Sequence, residues 1–248
     1  MAKMTDSRTP VEVTLRIPGR WSHPGELVEA LPAGYRLTPD ALIMPDGTNV
    51  EFNPMPPDDQ FAQIFRSSCR RPPTEEELRR IDDYTVNVGL SGPGGSLEAA
   101  RRMMEAGAAI VRAGGIGVFN DNSGLAHGGQ NWLYMTDEGS PDAVSFAFVG
   151  IVRGKSEMYT MGMHVLGLRD VLMQRADVEE HGFDIVEVIQ YLAAGDKPIG
   201  DGHVIADLNG PCFQAVVADS PAAFADSPMH NPFGRLKLVS VKDIAGQN

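Results

Sequence analysis

The sequence predicts an α+β fold: a mostly antiparallel sheet with helices packed on one face, containing one βαβ unit at residues 85–120. Three observations predict it. Expected strands outnumber expected helices and are joined mainly by tight turns, which favours antiparallel pairing. One long amphipathic stretch, residues 97–112, stands between two short apolar runs, as a parallel crossover requires. The composition, 42% hydrophobic and 22% charged, is that of a packed domain and too apolar for a disordered chain.

Taken in order, residues 11–17 place Val11, Val13, Leu15 and Ile17 at period two, a half-buried strand stopped by Pro18-Gly19. A short helix is expected over residues 24–31, with Glu26 near its positive end. Extended pieces at 35–44 and 49–52 flank Asp46-Gly47, a strong hairpin turn. Beyond Pro54, Pro56 and Pro57, Asp58 or Asp59 can cap a helix carrying Phe61, Ile64 and Phe65. Arg70-Arg71 and then Pro72-Pro73 should end it. Thr74 and Glu77 form a capping box for a short charged helix reaching about Asp82. The prolines and charges of 54–83 mark the best candidate boundary. They set off a small N-terminal α+β unit, 1–83, from a main α+β domain, 84–248, unless the first packs as part of a single domain.

Residues 85–90 read as a strand, 91–95 as a glycine-rich loop, and Ser96 stands where a helix N-cap belongs. From there to Arg112, Glu98, Arg102, Glu105 and Arg112 share one face, and Ala100, Met103, Met104, Gly107, Ala108 and Val111 the other. Gly114-Gly115 end the helix, and residues 116–119 resume as a strand. After a polar loop, strands are expected at 144–152, 157–163, 169–173, 203–208, 213–217 and 236–241, with one helix at 183–192.

Charge and cysteine usage remove several function classes. With 21 Lys plus Arg and 33 Asp plus Glu the formal net charge is −12, which repels nucleic-acid phosphates and anionic headgroups. No apolar run approaches the ~18 residues of a membrane helix, and no apolar run follows Lys3, so a secretory signal is not expected. Cys69 and Cys212 are too few for a disulfide framework or a thiolate-held zinc. A cytoplasmic protein without nucleic-acid or membrane partners is expected.

Parallel strands deliver the loops at their carboxyl ends to one sheet edge, where ligands of open α/β sheets bind. Here those loops are 91–95 and 120–129. Ser91, Gly94, Gly95 and Ser96 form a turn into a helix N-terminus, suited to an anion. Asp121, Asn122, Ser123 and His127 bring donors, acceptors and one group titrating near neutrality. The plainer alternative is turn chemistry alone. No Walker-type lysine and no G-x-G-x-x-G is present, so no cofactor is expected.

His23, His127, His164, His181, His203 and His230 show no helical metal-ligand spacing. Asp121, His127, His164, Asp201 and His203 could meet only through the fold, and no metal site is expected. Ser123 is outside any G-x-S-x-G, and both cysteines read as structural. The arginines of 66–80 are interleaved with carboxylates, so ion pairing on solvated helices is the expected use.

Ser96-Leu97-Glu98-Ala99-Ala100, the run Thr160-Met161-Gly162-Met163-His164-Val165-Leu166-Gly167 with Asp170, and Gly200-Asp201-Gly202-His203 resemble successive landmarks of an uncharacterised bacterial domain family. That family has a T-x-G-M-x-x-L-G-x-x-D stretch and a later D-G-[HD] turn. Asn231-Pro232-Phe233-Gly234-Arg235-Leu236 is similar to its C-terminal strand entry. The resemblance covers about 85–243 and implies a binding protein, including antidotes to secreted toxins, with no catalytic residues to carry over. Read physically, Gly162, Gly167, Gly200 and Gly202 suit sharp reversals, with Thr160, Asp170 and Asp201 as turn-locking groups. The leading expectation is a non-enzymatic interaction protein presenting an acidic surface to a protein partner of basic character. The alternative is an enzyme or small-molecule binder accepting a small anionic ligand in the 91–95/120–129 crevice, and the oligomeric state is open.

Overall fold

Strand β1 (Glu12–Gly19) keeps the alternation of its sequence, with Val13, Leu15 and Ile17 fully buried and Thr14 and Arg16 on the other face. The computed structural model describes residues 10–177, 185–195, 198–206 and 212–241. In it β1 lies between β5 (Val86–Pro93) and β6 (Gly117–Asn120), antiparallel to each. The two outer strands are therefore parallel to each other, joined through helix α4 (Leu97–Arg112). Leu15 pairs with Leu90 on one side and Asn120 on the other; both strands run toward one rim, β5 continuing to Pro93, opposite Glu12, after β6 has ended. The expected βαβ unit is present, with one antiparallel strand inserted between its members.

This first sheet has seven strands in the order β2-β3-β4-β5-β1-β6-β7, where β2 is Arg36–Leu37, β3 Ala41–Ile43, β4 Asn49–Met55 and β7 Leu125–Gly128. It draws strands from both sides of residue 83, and one hydrophobic cluster contains Val13, Leu15 and Leu42 together with Trp132 and Phe213. The turn at Asp46-Gly47 joins β3 to β4, with Gly47 at a φ of +86°.

Three helices form the main layer on one face: α4, α5 (Gly129–Glu138) and α6 (Pro141–Phe148). Trp132 of α5 is wholly buried, donates its indole N–H to the Met104 carbonyl at 3.0 Å, and meets Phe148 edge-on at 5.7 Å. Beyond this layer stands a second sheet, which the sequence does not announce as separate. Its order is β11-β12-β13-β10-β9-β8, with β8 Gly150–Arg153, β9 Glu157–Met161, β10 Asp170–Gln174, β11 Val204–Ala206, β12 Cys212–Ala218 and β13 Arg235–Ser240. Val171, Met173, Phe213, Leu236 and Leu238 turn inward to the same cluster, as does α7 (Ile185–Ala194) through Val188 and Ile189. Residues 181–184, at the start of the expected helix, lie outside the described residues.

A smaller pair, α2 (Phe61–Ser68) and α3 (Glu75–Asp82), adds helices to the opposite face of the first sheet. Phe119 shares a face with Arg16 by register and packs on Phe61 at 5.8 Å, in a second cluster with Phe65, Ile81 and Tyr84.

The expected strand over 144–152 is corrected: its first half is the end of α6. Ser140 caps that helix by accepting the Ala143 N–H, and Pro141 follows at the first position. An apolar run buried all round has no period to separate strand from helix.

The capping box on α3 is formed as expected, and it does more than cap. One carboxylate oxygen of Glu77 takes the Thr74 N–H at 2.8 Å, while the other takes the N–H of Gln130 in the first turn of α5 at 3.2 Å. Thr74→Ala is expected to cost about 1 kcal/mol. Glu77→Ala strips partly buried hydrogen bonds from two helices at once and should cost about 2 kcal/mol. Urea midpoints of the two variants check the difference.

Candidate functional site

The rim where β5 and β6 end is occupied by the protein's own chain. Gly94 gives its N–H to the Val11 carbonyl at 2.8 Å, and Gly95 gives its N–H to the Val165 carbonyl at 2.9 Å. Ser96 caps α4, its hydroxyl accepting the Ala99 N–H at 3.1 Å. Ser91 reaches the Thr14 hydroxyl at 3.4 Å on the sheet face away from α4. The Gly95 N–H, which an anion would use, is therefore already satisfied by a carbonyl.

The expected loops are corrected: residues 91–93 belong to β5, and of 120–129 only the turn 121–124 lies between β6 and β7, because 125–128 are β7 and Gly129 opens α5. That turn is equally committed. Asn122 accepts the Thr14 N–H at 2.9 Å and donates to the Glu12 carbonyl at 2.8 Å. Its carboxamide imitates a peptide group and continues the ladder along β1 after β6 has turned away. It also donates to the Pro228 carbonyl at 3.1 Å, tying down the segment between β12 and β13. Asn120 donates to the Ser123 hydroxyl at 2.9 Å and the Phe148 carbonyl at 3.1 Å, and accepts the Asn122 N–H at 3.0 Å. Asp121 pairs with Arg16 at 2.8 Å; burial raises its pKa, while the guanidinium opposes that shift.

His127 is a core residue. Its Nε2 donates to the Ala147 carbonyl at 3.0 Å, which leaves Nδ1 to accept from Asn131 at 3.3 Å. Burial holds its pKa down at about 3, with Arg70 and Arg71 adding to the shift. It is neutral at any physiological pH and has no access to a ligand.

The T-x-G-M-x-x-L-G-x-x-D stretch supplies what fills the rim. Gly162 and Gly167 flank a 3₁₀ turn, Met163–Leu166, with φ of +99° and +79°. A Cβ on Gly167 would lie 2.3 Å from the Gly95 carbonyl oxygen, so this turn seats directly on the 94–95 loop. Asp170 holds it by accepting from Thr160 at 3.1 Å, the Met163 N–H at 3.3 Å and Asn231 at 2.9 Å. Burial raises the pKa of this carboxyl to about 6 against those hydrogen bonds. Within the turn, His164 donates through Nε2 to the Pro228 carbonyl at 3.0 Å. Its buried Nδ1 has no partner among the described residues, and burial lowers the pKa to about 4. Thr160 and Asp170 are turn-locking groups, and so is Asp201, which accepts the Val217 N–H at 2.8 Å.

The histidines do not converge. His127 sits between β7 and α6, His164 in the 3₁₀ turn, and His203 in an exposed turn where it accepts the Gly200 N–H. Among the described residues no group of three or more His, Cys, Asp or Glu could hold a metal. Cys69 donates to the Phe65 carbonyl, and burial, then the Glu77 charge, push its thiol up to about 12. That thiol is no nucleophile at neutral pH.

Open concave surface lies elsewhere. A cleft of 640 Å³ on the α4 face of the first sheet is walled by α1 (Pro24–Ala30), Trp21, Leu37, Phe52 and Val88. Ser22, His23 and Thr38 edge it, and the Trp21 indole is fixed by its bond to the Ala113 carbonyl at 2.8 Å. This size and apolar lining are those of a binding site. A second cleft, of 180 Å³, lies among α5, α6 and α7 beside Arg70 and Arg71. Reading the sequence missed both, because their walls come from segments far apart in the chain, with no motif to link them. Among the described residues no helix is long and apolar enough to cross a membrane. Compared with family models, curated proteins and solved structures, the chain matches none.

Proposed function

We propose that the chain is a non-enzymatic binding protein of the cytoplasm that seats an apolar segment of a basic protein partner in the cleft beside α1. One observation carries this reading: the polar residues that chemistry would need are spent inside the fold, whereas the 640 Å³ cleft is open and mainly apolar. A reaction requires groups held against a substrate, and the rim at 91–95 and 120–129 offers its own turn instead. The charge of −12 supports a basic partner by steering and complementarity. Near the cleft, exposed Glu26 and Glu29 of α1 and Asp40 outnumber Arg20 and Arg36. The half-buried free thiols of Cys69 and Cys212 fit a reducing compartment. The resemblance to the uncharacterised bacterial family, with its toxin-antidote implication, agrees with the same reading.

The test uses the protein immobilised on beads against a lysate of its source. Val28, 47% exposed on α1, can be changed to Asn without opening the core. The wild type should retain a partner at low salt and lose it as salt rises. The Val28→Asn protein should retain much less at an unchanged melting temperature. Equal retention by both proteins, or none by either, contradicts the proposal.

A further inference from the structure

A second site is marked by two guanidiniums that form no ion pair among the described residues, and it is independent of the partner cleft. Arg70 and Arg71 leave α2 side by side and converge on one ring, lying 4.5 Å and 5.0 Å from the centroid of Phe146. Neither forms an ion pair among the described residues, although Arg66 and Arg79 of the same region pair with Asp82 and Glu75. Arg70 donates to the carbonyls of Phe146 and Val149 at the end of α6, which suits a cation. Arg71 is exposed, with no hydrogen bond of its own among the described residues. Two like charges brought together on one ring repel each other, and an anion between them relieves that cost. Their field is felt by buried His127.

The two arginines are among the residues that line the 180 Å³ cleft. Glu138 and Asp142 line it as well, over an apolar floor that includes Met135, Phe146 and Ile189. A cavity of this size is below the ~300–1,000 Å³ of drug-sized ligands, and it carries both signs of charge. We propose that this cleft binds a small apolar α-amino acid as its zwitterion, the carboxylate on Arg70 and Arg71 and the ammonium toward Glu138 and Asp142. Arginine forks suit carboxylates in planar, paired hydrogen bonds, and the floor takes the side chain.

Calorimetric titration of the full chain with L-leucine, isocaproate and isoamylamine tests this. These three probes share a side chain and carry both charges, the carboxylate alone and the ammonium alone. L-leucine should bind, isocaproate about tenfold or more weaker, and isoamylamine not measurably. Arg71→Gln and Glu138→Gln, both at exposed positions, should each weaken L-leucine about tenfold or more at an unchanged melting temperature. No binding of L-leucine at millimolar concentration overturns the proposal. So does isocaproate binding as tightly as L-leucine, or L-leucine binding unaltered by Arg71→Gln. Because the Val28 variant does not touch this cleft, its outcome and this one are separable.

Discussion

Gly167→Ala is expected to destabilise the protein by about 3 kcal/mol or more, a large share of the stability of an ordinary domain. Two costs combine. An L-residue held at a φ of +79° costs ~1–2 kcal/mol, and the new methyl would stand 2.3 Å from the Gly95 carbonyl oxygen. That oxygen is backbone and can yield only by lifting the 3₁₀ turn off the rim. Gly202 separates the two terms, because its φ is +76° but a Cβ there meets nothing within 4 Å. Gly202→Ala should therefore cost only about 1–2 kcal/mol. Denaturant midpoints of both variants give the comparison; equal losses would mean that the turn does not bear on the rim.

Acidification should destabilise the fold through its two buried imidazoles. His127 and His164 are held neutral with pKa values of about 3 and about 4, against about 6.5 when unfolded. Below pH 6.5 the unfolded chain takes up protons that the folded one refuses, so stability falls with pH until the folded pKa is passed. Asp170 acts in the opposite sense. Its pKa of about 6 exceeds the unfolded value near 3.8, so the folded state binds the proton first. Its contribution is fully present below pH 3.8 and is lost as pH rises through 6. Two histidines outweigh one carboxyl, and the net loss between pH 7 and pH 4 is on the order of 4 kcal/mol. In His127→Gln, whose amide can keep both hydrogen bonds, the fall should be shallower by about 1.4 kcal/mol per pH unit below 6.5. Urea unfolding at pH 7 and pH 4.5, in enough salt to screen the exposed carboxylates, measures both slopes. Parallel slopes for the wild type and the variant would contradict the neutral, buried His127.

What could be read from the chain was what local physics decides. The alternation of β1, the Thr74–Glu77 box and the 16-residue α4 with its Ser96 cap follow from neighbouring residues, and the structure has them. That β5 and β6 run toward one rim followed from chain direction alone. Helix α5 was missed for a local reason: its N-cap, Gly128, makes no side-chain bond, and Glu77 of another helix takes the Gln130 N–H. Ser140-Pro141-Asp142 was a start signal for α6 that the apolar run behind it masked.

Of the residues singled out, Ser91 stays on β5 and His127 lies in the core on β7; for those at the rim, what covers them could not be seen. Val165 and Pro228 come from distant parts of the chain and bring only backbone carbonyls. A carbonyl leaves no trace in a residue's identity, so no motif could report that the Gly95 N–H was taken. The two arginines were visible but misassigned: Arg70 and Arg71 lie on Phe146 rather than joining the pairs formed by Arg66 and Arg79.

Amide hydrogen exchange at Gly95 is the most direct measurement of whether the rim is closed. The 2.9 Å bond from this N–H to Val165 predicts protection comparable to that of the β5 core, falling in the Gly167→Ala protein. Exchange of Gly95 at the rate of an unprotected loop would contradict the closed rim, and would reopen the crevice as a place for a ligand.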